Sequence, residues 1–497
     1  MPEASSIPGV APTQPPIIVD PPAPGVPIGF NQTLRVMSAL GPITAAIANP
    51  ALADVFINQE TRTVTLFGRT AGDTTLTVGD SRGLTREVPV HVAYNAGSIA
   101  DAADIRITGN PATSLFVKEQ ALAAATRLAN LRPGTHVVSN TDTINFSKPL
   151  AIDDVAIVDV PIIIQGQGFF TVQGTTHVRV TNFAQPRIRP RSLMVSDFPE
   201  TLKANGVLFS ADLTRDEPSR FLYYHYNPGG QPDRRIVLRL QNSSPEPALL
   251  QFISGQAGPG AYEMEVGHLS TRRFLVHEAQ NEGVVVSVPG NATISLVDQG
   301  MPAKSVVQNI LQLRELEGVP LHLTLLAVSA DDNLEGTIPA ALLSSHVKHA
   351  RGVYPIPEFY FDYSWSADDD PLEASIGQIP LPNMLQGEAL AGDYGVLQSI
   401  TFTIYNPDDS PAGIALYQNP RGGSATGTYL IDRVLIQSHA TPAFSKYKLR
   451  QYTVPAHGYI RTSVVTMPEG GSSYPVRLIL ARDDGSVAPG APGSPIY

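Results

Sequence analysis

Asp331, Asn333, Glu335 and Gly336, in the run DDNLEG, set oxygen ligands on alternate positions and close on a glycine, the opening of a calcium-binding loop. The bidentate carboxylate that should finish such a loop is absent, because position 342 is Leu. Calcium at Asp331, Asn333 and Glu335 is therefore the one cofactor the sequence offers. Asp368, Asp369 and Asp370 form a second acidic candidate, and a solvated acidic loop is the alternative for both. His346 and His349, three apart, share one face if the segment is helical, but linker histidines in solvent fit the same pattern. His277-Glu278 begins like a zinc-protease helix, yet Asn281 stands where the second histidine is required. Ser254-Gly255 lacks the flanking glycine of a nucleophile elbow, and no phosphate-binding loop occurs. These gaps lead us to expect a protein that is not an enzyme.

An aromatic run offers a different chemistry, the stacking of sugar rings. It comprises Tyr354, Phe359, Tyr360, Phe361, Tyr363 and Trp365, with Tyr360 and Trp365 as the candidate ligand-binding rings. Alternation in EFYFDYSW puts Phe359, Phe361 and Tyr363 on one strand face and Tyr360 on the other, so burial of at least one face is the default.

The elements that carry these residues read as strands. RRIVLRLQNSSPEPA at 234–248 is echoed by QSITFTIYNPDDSPA at 398–412: apolar Ile236, Leu238 and Leu240 answer Ile400, Phe402 and Ile404, and a turn containing Asn242 or Asn406 follows. The echo keeps its order downstream, VSVPGNATISLV at 286 against YTVPAHGYIRTSVV at 452, then VPLHLTLLAVSADD at 319 against YPVRLILARDDGS at 474. The segment 308–318, QNILQLRELEG, reads as a helix-like insertion in the first copy. Two tandem β-sandwiches are predicted, at 203–345 and 346–487, with a flexible tail at 488–497.

Upstream, nine prolines within residues 1–29 predict an extended tether. A small β domain follows at 30–95, in which the strand at 62–68, with polar outward residues and no proline, is expected to be an edge or to pair with the α+β module beside it. An α+β module at 96–182 has one amphipathic helix over 114–131, with Val117, Ala121, Ala124, Leu128 and Leu131 on its apolar face. A linker at 183–202 carries Arg187, Arg189 and Arg191 among prolines and reads as solvated. The fold class is mainly β and multi-domain. With 16% charged residues, 44 prolines and 41 glycines the chain is turn-rich but folded, and a net charge of -11 gives no electrostatic reason to bind nucleic acid. Cysteine is absent, which removes disulfides and thiolate chemistry. No apolar run approaches the roughly 20 residues of a membrane span. The N-terminus lacks the basic and apolar regions of a secretory leader, so we expect that a leader has been removed.

The β domain carries a specific pattern: Asn49, Pro50, Ala53, Asp54 and Val55 in a turn leading to a strand, Gly68 after the next strand, then Gly72, Thr74, Thr75 and Leu76. It resembles the N-terminal domain of pilus and flagellar secretins, and is similar also to bacterial immunoglobulin-like surface modules. No secretin-type membrane barrel follows it. The phrase LAGDYGVLQ before the second repeat resembles a family of uncharacterised bacterial exported proteins with paired β domains. The resemblance implies a cell-envelope or extracellular location and a structural role in pilus or secretion-system assembly, with other envelope proteins or further copies of the chain as partners. The alternative expectation is a surface or adhesion protein whose partner is polysaccharide.

Overall fold

The computed structural model describes residues 15–332, 334, 350–385 and 387–496. They form two compact units, one made of the described residues up to Asp104 with 118–147 and 156–180, the other of 105–117, 148–155 and the described residues from Thr181 onward. The protein is mainly β and multi-domain.

The first unit opens with β1 (Ile18–Asp20), β2 (Gly25–Pro27), β3 (Asn31–Met37), β4 (Thr44–Ile47), β5 (Ala53–Asn58), β6 (Thr63–Gly68), β7 (Gly72–Gly79) and β8 (Thr85–Asn95). One sheet runs β1-β3-β6-β5; in the other β8 pairs β7, which pairs β4, and β2 lies parallel on β8. The period-2 pattern puts Leu34, Val36, Val64, Leu66, Leu76, Val78, Val88, Val90 and Val92 inward, none more than 2% exposed. Two expectations are corrected here. Residues 18–20 and 25–27, assigned to the tether, are strands with Ile17, Val19 and Val26 in the core, because their apolar positions alternate between the prolines. The strand at 62–68, expected to be an edge or to pair with the α+β module beside it, lies between β3 and β5, so the edges of this sheet are β1 and β5.

The predicted helix is α1, Ser114–Leu128. It ends three residues early, because Asn130–Leu131 turns away to pair with Gly97–Ser98. Val117, Ala121 and Ala124 are buried as expected, whereas Leu128 and Leu131 are exposed. Long strands at Val155–Gln165 and Val172–Asn182 complete the α+β region.

In the second unit the first repeat contains β9 (Gly206–Asp212), β10 (Ser219–Asn227), β11 (Arg234–Asn242), β12 (Ala248–Ser254), α2 (Glu263–Ala279), β13 (Gly283–Val288), β14 (Ala292–Met301), β15 (Ser305–Glu317) and β16 (His322–Ser329). The second contains β17 (Glu358–Ser366), β18 (Leu372–Ile376), β19 (Leu397–Tyr405), β20 (Ala412–Pro420), β21 (Ala425–Ile431), β22 (Val434–Thr441), β23 (Tyr447–Val454), β24 (Tyr459–Thr466) and β25 (Val476–Arg482). The order β13-β12-β15-β10 matches β23-β20-β25-β18 strand for strand, and β14-β11 matches β24-β19. All six residues of the repeat signature, Ile236, Leu238, Leu240, Ile400, Phe402 and Ile404, are buried.

This topology changes one correspondence. Segment 308–318 is not a helix-like insertion but most of β15, the counterpart of β25; the extra element is β16, which lies between β9 and β11. Because β16 is antiparallel to both, β9 runs parallel to β11, just as β17 runs parallel to β19. β15 is buried on both faces from Ser305 to Leu313, so it lacks the alternation that marks a strand in sequence. Strand entry and exit also pair: Gly206 faces Ala327, and in the flanking strands Ser192–Ser196 and Arg351–Tyr354 Leu193 faces Tyr354. Each sandwich has its own core, and a third apolar cluster joins them, with Leu222, Phe274, Leu275 and Ile310 meeting Tyr354, Val396, Leu430 and Met467. The tail expected to be flexible is attached: Ser494–Pro495 pairs with Val434–Leu435, and the amide of Ala491 donates to the hydroxyl of Tyr447 at 2.9 Å.

Candidate interaction sites

In the N-terminal domain the motif residues have local work. Asn49 Oδ1 accepts from the amide of Ala51 at 3.1 Å, and its own amide donates to Thr74 Oγ1 at 3.1 Å, tying the turn to β7. Asp54 pairs with Arg69 at 2.7 Å. A Cβ on Gly68 would fall 2.6 Å from the carbonyl oxygen of Pro27, so β2 can approach only a glycine there. β5 carries Phe56 and Ile57 in its second half, 58% and 40% exposed at an edge of the sheet.

The metal candidates fare differently. Asn333 and Glu335, with His346 and His349, lie outside the described residues. The neighbour of Asp331, Asp332, spends its carboxylate on the amide of Ser329 at 2.8 Å. Asp369 and Asp370 close a turn, Asp369 accepting from the amide of Ser366 and the Asp370 carbonyl accepting from the indole N–H of Trp365 at 2.8 Å. Among the described residues no three His, Cys, Asp or Glu side chains converge as metal ligands.

The aromatic platform is corrected. Trp365 is 5% exposed in the core of the second sandwich, and Tyr354 is fully buried with its hydroxyl donating to Glu388 O. Burial wins because both rings sit on inward positions of their strands. Tyr360 is exposed, but Arg189 lies over its ring at 4.3 Å and its hydroxyl donates to Glu358. The arginine segment is likewise bound: Arg187 makes a bidentate pair with buried Glu278, Nη2 reaching Oε1 at 2.5 Å and Oε2 at 2.6 Å.

Two polar clusters join the sandwiches. Arg220 on β10 is fully buried; it donates to Pro357 O at 2.5 Å and to Glu358 Oε1 at 2.9 Å, and lies over the ring of Phe274. On α2, His268 Nδ1 donates to Glu469 at 2.9 Å, while Gln437 Nε2 donates to His268 Nε2 at 2.6 Å. Glu469, without exposure, also accepts from Thr426 Oγ1 at 2.5 Å and Thr428 Oγ1 at 2.6 Å. Histidine, carboxylate and hydroxyl thus converge, but the hydroxyls give their protons to the carboxylate and both imidazole nitrogens are engaged. That arrangement fastens elements and activates no nucleophile. The sequence could not reveal it, since His268 and Glu469 stand 201 positions apart.

Residues 26–93 match the family described as "Pilus formation protein N terminal region". The resemblance carried by Asn49 to Leu76 therefore holds for the first domain. Solved structures that share partial likeness include domains 5-6 of the S-layer protein SbsC, 19% identical over 34% of this chain and 97% of that one, TM-score 0.15. Fibronectin(III)-like modules of Clostridium thermocellum CbhA are 13% identical over 34% of this chain and 94% of that one, TM-score 0.17. Mouse cadherin-23 EC22-24 is 15% identical over 34% and 64%, TM-score 0.13. These likenesses are too loose to bear on activity. No curated protein is similar enough to this chain to be matched to it. No helix among the described residues is long and apolar enough to cross a membrane.

Proposed function

We propose that the protein is a bacterial cell-envelope or secreted structural protein that works in assembly through protein–protein contacts, linked to a pilus or secretion system, with no catalytic step of its own. The observation that carries this reading is the match of residues 26–93 to a pilus-formation domain, folded here as its own sandwich with an open edge. An unpaired edge strand presents backbone N–H and C=O groups to another chain, and β5 adds exposed Phe56 and Ile57 beside them. Polysaccharide binding loses support with the burial of Trp365 and Tyr354.

The test uses the full chain with Phe56→Glu and Ile57→Lys, both at exposed positions. In cells, the unaltered protein should sediment with the envelope in cross-linkable complexes. The variant should leave that fraction while its thermal unfolding is unchanged. A variant that still enters the complexes to the same extent overturns the reading.

A further inference from the structure

The hydrogen bonds around β6 fix which backbone groups of β5 are spent and which face outward. Val36 N–H donates to Arg62 O at 2.9 Å and Gly68 N–H donates to Phe30 O at 3.2 Å, so β6 turns its even-numbered residues toward β3. Its odd-numbered residues therefore bond β5, through Asp54, Phe56 and Asn58, and Arg69 N–H continues the series by donating to Leu52 O at 2.8 Å. Val55 and Ile57 are left with N–H and C=O directed away from the sheet. Among the described residues no strand other than β6 pairs with β5.

The side chains alternate in the same way. Phe56 stands beside Thr65 on the outer face of the sheet, 58% exposed, while Ile57, 40% exposed, follows Val55 on the core face. Beyond them the strand stops, because Asn58 Oδ1 accepts from the amides of Glu60 and Thr61, both at 3.0 Å, and the Gln59 side chain is spent on the backbone of Ile43.

We propose that β5 pairs with β5 of a second copy of this chain, antiparallel, about a two-fold axis at Phe56. This rests on the assembly reading and names its partner. In this register Val55 and Ile57 of one copy exchange backbone bonds with Ile57 and Val55 of the other, the residues whose groups face outward. Phe56 meets Phe56 across a non-hydrogen-bonded pair, where side chains come closest, and Asp54 meets Asn58, so no like charges oppose. Moving the axis by one residue sets Phe56 against Asp54 or Asn58 and loses the ring contact. Moving it by half a residue sets outward-facing backbone against backbone already bonded to β6. A segment that complements itself in charge, apolar content and hydrogen-bond phase fits an isologous contact.

One strand pair buries little surface and holds weakly in isolation, so covalent capture reads it best. The chain has no cysteine, and an introduced thiol is therefore unique. On mild oxidation of the full-length protein, an equimolar mixture of Asp54→Cys and Asn58→Cys chains should form a linked dimer, because a non-hydrogen-bonded pair holds Cα atoms about 4.5 Å apart, within disulfide reach. Neither variant alone should link, since like positions would lie about 14 Å apart. Tyr459→Cys, at a position 64% exposed in the second sandwich, gives the collisional background. Asp54→Cys forfeits only the exposed ion pair with Arg69. If Asn58→Cys lowers the melting temperature, Phe56→Cys decides, because it should link to itself. A mixture that links no more than Tyr459→Cys, or single variants that link as well as the mixture, would overturn the proposal. So would loss of envelope complexes by the Phe56→Glu, Ile57→Lys chain without any linkage, an outcome that keeps the assembly reading and gives the edge to a different protein. Linkage together with unchanged complexes would uphold the pair and overturn the assembly reading alone.

Discussion

His225 shows how much a single side chain can report. It sits on β10 without exposure, its Nδ1 donating to Pro199 O at 3.0 Å and its Nε2 accepting from Ser196 Oγ at 3.2 Å. Burial holds its pKa down at about 4, from an ordinary 6.5, against the raising effect of Pro199. The folded state therefore favours the neutral ring. Its contribution to stability is complete above pH 6.5 and is lost as pH falls through 4. Measured by denaturant unfolding from pH 7 to pH 4, His225→Gln should flatten the acid loss by up to about 3 kcal/mol. Little of this was legible in the sequence, where His225 is one histidine in an aromatic-rich run. Its partners come from the preceding segment at 196–199, which no local pattern brings to β10. Trp365 and Tyr360 failed as a pair for a related reason: alternation separates two faces of a strand, but it does not say which face the neighbouring sheet covers.

At the scale of elements the repeat was readable because its signature is doubly enforced, by alternation in β11 and β19 and by the turn that follows. Asn242 Nδ2 donates to Glu246 O at 2.8 Å and Val288 O at 3.1 Å, and its Oδ1 accepts from the amide of Ser244. Asn406 repeats this with Ser410 O at 2.9 Å, Val454 O at 3.1 Å and the amide of Asp408. Both are 1% exposed, so truncation strands buried carbonyls. Asn242→Ala and Asn406→Ala should each cost on the order of 2–4 kcal/mol in chemical denaturation, and by similar amounts, if the two turns are physically equivalent. What stayed hidden was the identity of the closing strand. β15 is buried on both faces and lost the period of a strand, while β16 alternates over its first half, His322–Leu325, so the sequence matched the wrong one to β25.

At the scale of the second unit, the two sandwiches share a buried ion pair as well as an apolar cluster. Removing one partner leaves a charge stranded, which is costlier than replacing both. Glu358→Ala, which strips Arg220 of its carboxylate, should cost roughly 3–5 kcal/mol and broaden or split calorimetric unfolding of the unit. A single sharp transition at an unchanged temperature would show that the pair contributes nothing to their coupling. The inserted strand has a mechanical consequence. Since Gly206 faces Ala327 and Leu193 faces Tyr354, a force entering the first repeat at its start and leaving at its end acts on the same end of each strand pair, breaking ladder bonds one after another. In the second repeat, once the two-residue strand Ser494–Pro495 has peeled from β22, the load passes to β17 and β25, which lie in different sheets, so the same pull must slide one sheet over the other and break many bonds together. Stretched between its ends in an optical trap, the protein should yield its first repeat at low force and its second at higher force, making the first repeat an extensible link that gives before the second is disturbed.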